Sequence, residues 1–330
     1  MKTSAIIFRE AFNPTLEQIE IPEPGPTDAL VRVAYSGVSP GTEVSIITGR
    51  RTHNGTFPLV SGYMASGTVE RVGRDVKNVK PGDRVAGFGT RIVGDITPIW
   101  GGHAAHHVCD ASALTILPEG CDEIPASMWI LPCVGLNAVS MAGITERDTV
   151  VISGQGLIGQ FFAQWAAARG ARVIAVEPDE RRAALSRKYV GCDVIDPLAC
   201  DVVAEVEKLT SGKWPTVVVE ATANAKLIGQ TTSLIRRPRV RMVFLSWYPG
   251  KIEIDWAHMH AHEPTVLCPS GAGDGETARA VLNGFARGVI RLGDNLTNNV
   301  PFADAPAAMK RVAEEDRSIL GMVIDWRAHA

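Results

Sequence analysis

Thr149-Val150-Val151-Ile152-Ser153-Gly154-Gln155-Gly156-Leu157-Ile158-Gly159 decides how this chain folds. Its first five residues have the branched, apolar character of a buried strand, and the residues after Gly156, as far as 169, recur at helical spacing. Between them the glycines stand as GxGxxG, and each has a physical reason to be glycine. Gly154 makes the tight turn, Gly156 lets the backbone approach a pyrophosphate, and Gly159 lets the helix pack closely on the strand. The helix start adds unpaired N–H groups and the positive end of a dipole. Glu177 ends the next strand, 18 residues beyond Gly159, where a carboxylate accepts bonds from both hydroxyls of an adenosine ribose. Its charge would repel a 2′-phosphate, so NAD is the expected cofactor and NADP is disfavoured. Arg181 and Arg182 close by temper that preference. The expected cofactor-binding set is Gly154, Gln155, Gly156, Leu157, Ile158, Gly159, Glu177 and Arg182, with Ala221, Thr222 and Ser246 at the ends of later strands.

Working outward, the chain alternates apolar strands with helices. Strands are read at 149–153, 172–177, 194–195, 216–220 and 239–246; helices at 124–142, 157–169, 179–190, 201–210 and 225–234. Strands apolar throughout and joined by helices make a parallel sheet covered on both faces. The first 120 residues read differently: short alternating runs at 29–35, 67–72, 83–86, 106–108 and 114–117 lie between turn clusters such as Pro22-Glu23-Pro24-Gly25-Pro26, as in a compact sheet or barrel. Beyond Pro269 one helix (276–287) and one strand (322–326) are read, packing back on the first domain. The fold class is thus α/β plus β: a β domain over 1–128 and 269–330, with a Rossmann domain (a doubly wound parallel sheet) inserted over 129–268.

The 330 residues are 45% hydrophobic and 21% charged, with a net charge of −3. That balance suits a globular protein and gives no field toward nucleic acid or an anionic membrane. No apolar run approaches the roughly 20 residues of a membrane span, and the six cysteines form no CxxC pair. A cytoplasmic protein with reduced thiols and a small-molecule substrate is expected.

Four further segments carry a resemblance. Ser36-Gly37-Val38-Ser39-Pro40-Gly41-Thr42-Glu43, Phe57-Pro58-Leu59-Val60-Ser61-Gly62-Tyr63-Met64-Ala65-Ser66-Gly67, Val79-Lys80-Pro81-Gly82-Asp83-Arg84-Val85 and Gly101-Gly102-His103-Ala104-Ala105 are similar to segments of the medium-chain dehydrogenases/reductases, typified by zinc alcohol dehydrogenases. The resemblance implies that the β domain is a GroES-like barrel, that the active site lies between barrel and Rossmann domain, and that the protein is a homodimer or homotetramer. The departures fall on the metal. The family's catalytic zinc takes a Cys, a His and a Cys or an acid, and sometimes a neighbouring Glu; at those places this chain has Ser39, Tyr63 and Met64, only Cys133 still matches a ligand position, and 87–101 lacks the cysteines of a structural zinc lobe. A hydroxyl, a phenol and a thioether do not replace thiolate and imidazole for Zn²⁺, so no zinc is expected at either place. The Gly-Tyr pair and the Ser-x-Gly-Thr-Glu turn resemble the metal-free branch that includes bacteriochlorophyllide a dehydrogenase, although Met64 departs from its usual acid.

Without a metal, another group must hold the substrate oxygen and exchange its proton. Tyr63 is the first candidate. Thr42 matches the family's relay hydroxyl, Ser45 stands where a relay His often sits, Glu43 matches the acid behind the metal, and Ser39 can donate to substrate. His103, Cys133 and Trp247 are expected to line the substrate pocket. His258, His260 and His262 form HxHxH, which on a strand puts three imidazoles on one face and otherwise gives surface histidines. The expected activity is a zinc-independent, NAD(H)-dependent alcohol dehydrogenase or ketone reductase acting on a secondary alcohol such as a polyol, a sugar derivative or a larger metabolite. The alternatives are an NADPH-dependent enoyl or quinone reductase, and a non-catalytic NAD-binding pseudoenzyme.

Overall fold

A computed structural model describes residues 1–50 and 56–329. The apolar strands pair as their composition dictates. Val150, Val151 and Ile152 are fully buried, as are Val217, Val218 and Val219, because both faces of this sheet are covered. Six parallel strands run in the order Asp193–Ile195, Arg172–Val176, Thr149–Ser153, Val217–Glu220, Arg241–Phe244 and Thr265–Leu267. Ser153 is level with Val176 on one side and Glu220 on the other, so the loops following these strands leave the sheet side by side. Asp179 and Asp201 cap their helices by accepting the N–H of Arg181 and Ala204. Gly191, at φ 71°, ends the first of these helices in the left-handed conformation.

The β part holds two sheets. Seven strands follow the path Asn298–Pro301, Met322–Asp325, Asp28–Val38, Ala65–Val72, Arg84–Gly87 and Thr115–Ile116, with His106–Asp110 also paired to Asp28–Val38. Four more form the order Pro14–Glu20, Lys2–Phe8, Leu59–Val60 and Thr97–Pro98. Phe8, Ile47, Met309, Met322 and Trp326 are among the buried residues of one of its apolar clusters.

Two compact units result: Met1–Ile130 with Ala278–Gly288 and Leu292–Ala330, and Leu131–Thr277 with Val289–Arg291. Residues 269–277 and 289–291 therefore go with the parallel-sheet unit, not the β unit as expected. Gln164 explains the second segment, because its side chain bonds both the N–H (2.7 Å) and the carbonyl (3.1 Å) of Arg291.

Other expectations change in detail. The helix read over 124–142 is two helices, Glu123–Ser127 and Ile130–Met141. A continuous helix would drive the Pro132 ring into the carbonyl of residue 128 and leave that carbonyl without its donor. The helix read at 225–234 is a 3₁₀ turn, Ala225–Leu227, followed by Ile228–Thr232. Beyond 269 the chain also forms Asn298–Pro301 and the helix Ala305–Ala313, whose Pro306 sits in the first turn, where no N–H is needed. Among the described residues, no helix is long and apolar enough to cross a membrane.

Candidate functional site

Gly154, at φ 94°, turns so tightly that a Cβ there would lie 2.7 Å from the Ala221 carbonyl oxygen. At Gly159 a Cβ would lie 2.2 Å from the Gly154 carbonyl oxygen. These two glycines are demanded by the fold. Gly156 is not: a Cβ there meets nothing within 4 Å, so the fold leaves open the space that its missing side chain would take. It is also the N-cap of Leu157–Ala168, and no side chain caps that helix. Its first-turn N–H groups have the positive end of the dipole behind them. An open glycine before an uncapped helix start is the cradle a pyrophosphate requires, so these residues fit a dinucleotide.

Glu177 is buried beside the turn. One carboxylate oxygen accepts the Gln155 N–H at 2.7 Å and the other the Asp179 N–H at 3.0 Å. Each oxygen has a second lone pair for a ribose hydroxyl. The Gln155 side chain turns inward, its carbonyl oxygen accepting from the Ser186 hydroxyl at 3.0 Å, so Gln155 offers the site only its backbone. Arg181 is tied to Asp179. Arg182 lies in the first turn of Glu180–Val190, its carbonyl accepting from the Gln160 amide at 2.9 Å. On the far side of the turn, Ala221 donates its N–H to Ser153 at 2.8 Å, Thr222 bonds Glu220, and the Ser246 hydroxyl accepts the Ala223 N–H at 2.9 Å.

In the β unit, Ser39 is the N-cap of the helix Pro40–Ile47, and its hydroxyl makes no capping bond. Tyr63 directs its hydroxyl at the Thr42 hydroxyl, 3.5 Å away, and stacks edge-on against Trp100. The Ser45 hydroxyl donates to the Thr42 carbonyl at 2.7 Å, which commits its proton to the helix backbone and away from a relay. Met64 is fully buried. Ser39 oxygen, Tyr63 phenol and Met64 thioether are the wrong donor chemistry for Zn²⁺. These residues do not fit the family's catalytic zinc.

His103 shows what the sequence alone could not. It is wholly buried, so it does not line a pocket as expected, and it faces Glu43, which is also wholly buried. Its Nε2 lies 3.3 Å from Glu43 Oε1, and its Nδ1 lies 3.0 Å from the Ser36 hydroxyl. Ser36 oxygen in turn accepts the Trp326 indole N–H at 3.0 Å. A carboxylate only accepts, so Nε2 carries the proton and Nδ1 accepts the Ser36 O–H. Glu43 Oε2 is buried with no hydrogen-bond partner. Gly62 makes room for this chain, since a Cβ there would lie 2.9 Å from the His103 ring.

One more expectation is corrected, and one open reading is resolved. Cys133 is fully buried, its thiol pushed well up by loss of water, and it lines no accessible surface; Trp247, at 47% exposed, does present one. The HxHxH histidines lie on the helix Trp256–His262. His258 and His262 meet with tilted rings, centres 4.5 Å apart, while His260 packs by Trp256. A period of 3.6 separates what a strand would have aligned, and among the described residues no group of three metal-ligating side chains is assembled. Tyr248, which reads in the sequence as a core aromatic, bonds the Glu220 carboxylate instead; an acid ending an otherwise apolar strand was the signal available.

Residues 25–119 match the alcohol dehydrogenase GroES-like domain, and residues 158–286 match the zinc-binding dehydrogenase family. The chain is 25% identical to L-galactonate-5-dehydrogenase of Escherichia coli, over 94% of this chain and 95% of that one. It is 26% identical to 2-desacetyl-2-hydroxyethyl bacteriochlorophyllide A dehydrogenase of Cereibacter sphaeroides, over the full length of both. A Sinorhizobium meliloti protein solved bound to NADP superposes with a TM-score of 0.85 at 23% identity, covering 98% of this chain and 99% of that one. With a GroES-like β unit, a six-stranded parallel sheet and both family matches in place, the chain belongs to the medium-chain dehydrogenase/reductase superfamily.

Proposed function

We propose that this chain is an oxidoreductase of the alcohol dehydrogenase type that interconverts a secondary alcohol and a ketone with NAD(H), and that it does so without zinc. The observation that carries this reading is the Tyr63–Thr42 pair, two hydroxyls 3.5 Å apart at family positions for a metal ligand and a relay residue. When bound, the nicotinamide supplies the hydride acceptor or donor. The first-turn N–H groups after Gly156 hold the pyrophosphate, and Glu177 orients the adenosine ribose. Tyr63 donates its O–H to the substrate carbonyl oxygen in reduction, which leaves a phenolate, and in oxidation that phenolate takes the alcohol proton, with Thr42 next in line. Glu43 and His103 brace the helix and turn that carry these two residues. Glu177 favours NAD; Arg182 leaves NADP(H) a foothold, and the NADP-bound relative supports testing both.

The test is a fluorescence titration with NADH and NADPH, then turnover on a panel of polyols, sugar derivatives and secondary alcohols with their ketones. NADH binding with turnover supports the reading, and Tyr63→Phe should then lose most of it. Tight NADH binding with no turnover on any member would favour a non-catalytic binding role. A purified protein carrying one zinc, lost together with activity on chelation, would sink the metal-free part.

A further inference from the structure

Two loops leave the sheet beside the glycine turn: 221–224 after Val217–Glu220, and 245–250 after Arg241–Phe244. They are cross-linked. Ala223, held at φ 56°, gives its N–H to the Ser246 hydroxyl at 2.9 Å. Glu220, fully buried, accepts the Thr222 N–H at 2.8 Å and the Thr222 hydroxyl on one oxygen, and the Tyr248 hydroxyl on the other. The Tyr248 ring packs against the apolar cluster under the sheet. Its hydroxyl therefore adds one thing to that packing: the bond to Glu220.

The sheet order gives these loops a direction. Glu177 lies on one side of the glycine turn, and Glu220 with 246–248 on the other. With the adenosine ribose at Glu177 and the pyrophosphate over the turn, the nicotinamide half extends toward Glu220 and Ser246. Trp247 lies between two anchored residues, Ser246 and Tyr248, so its ring is presented from a fixed stretch of backbone.

We propose that the Tyr248–Glu220 hydrogen bond is a latch that positions the nicotinamide half of the bound dinucleotide, with Tyr248 and Glu220 as positioning residues. The proposal rests on the cofactor reading above and deepens it. Tyr248→Phe keeps the ring packing and removes only the latch. Burial raises the Glu220 carboxyl above the usual range, and the Thr222 and Ser246 donors work against that shift. The latch thus adds one more donor where a buried carboxylate most needs it.

The experiment compares NADH with ADP-ribose, which carries the adenosine and pyrophosphate but no nicotinamide. Tyr248→Phe should weaken NADH by about tenfold, the scale of one hydrogen bond to a charged acceptor, and leave ADP-ribose within about twofold. Glu220→Gln reads the same bond from its other end and serves if Tyr248→Phe does not fold; thermal melts check both. The double variant should be no weaker than the poorer single one, because both act on the same interaction. NADH affinity unchanged in both variants overturns the latch. Equal loss of NADH and ADP-ribose overturns it too, by assigning the bond a purely structural role. Wild-type protein that binds neither ligand removes the cofactor reading itself, and the latch with it.

Discussion

At the glycine turn the chain offers backbone N–H groups and takes side chains away; around 39–64 and 103 it offers side-chain oxygens and hides ionisable groups. In the first region, contacts as close as 2.2 Å would follow from adding a single carbon, so the geometry is dictated by sterics and tolerates few residue types. In the second, Ser36, Glu43, His103 and Trp326 are linked by hydrogen bonds of 3.0–3.3 Å between distant parts of the chain. There the fold holds a buried polar chain for which Gly62, next to Tyr63, makes room. On the proposed metal-free reading, the contrast explains how a superfamily can keep its cofactor grip while its chemistry drifts. Backbone recognition survives almost any change of side chain elsewhere, whereas a metal cage is lost with three substitutions.

The largest expected effect of breaking this comparison falls on Tyr63. Tyr63→Phe should lower turnover by about 10²–10⁴-fold, the usual worth of a positioned acid–base group, with NADH affinity unchanged by fluorescence titration. Retained turnover would move the proton to another group.

The glycines come next, and they should separate stability from binding. Gly159→Val forces backbone to move and should cost about 3 kcal/mol or more in urea unfolding. At Gly156→Val the added Cβ meets nothing within 4 Å, so the variant should lose only about 1 kcal/mol through poorer capping, yet lose NADH binding. Similar unfolding curves for the two variants would contradict the assigned roles.

A pH prediction sharpens the other side. Burial holds His107 at about 4, against an ordinary 6.5, and its Nε2 meets the Gly102 carbonyl at 3.1 Å. Between those values the unfolded chain binds a proton that the folded one refuses, so stability falls as pH drops from 6.5 toward 4. The full effect is about 3 kcal/mol. His107→Gln should flatten that part of the stability curve, measured by urea unfolding from pH 7 to pH 4; an unchanged slope would place the acid sensitivity elsewhere.

The smallest effect concerns thiols. Cys200 and Cys268 are exposed, while Cys133 is buried with its thiol pushed up. Iodoacetamide followed by mass spectrometry should label the first two within minutes and Cys133 only on unfolding. Early labelling of Cys133 would show that the helix Ile130–Met141 opens.

Much of this was legible in the sequence. Strand, turn, helix and Glu177 lie within one short stretch, and local sterics and periodicity fix them. The break at 128–129 was also written there, in Pro132, but periodicity outweighed it in the reading. Thr265–Leu267 was missed because three residues carry no period. The Glu43–His103 pair spans 60 positions and the Ser36–Trp326 bond spans 290. No local pattern encodes such partners, and the family's motif places an aromatic where His103 stands. For Tyr248, a ring typical of a core concealed a hydroxyl with a buried partner.

The central claim is a dinucleotide held over an open glycine in a protein whose reaction centre is made of uncharged oxygens in place of a metal. Its most direct test is NADH titration of protein stripped by exhaustive chelation, followed by fluorescence. Stoichiometric binding with no response to added zinc is the expected result. No binding, or binding restored only by zinc, would contradict it.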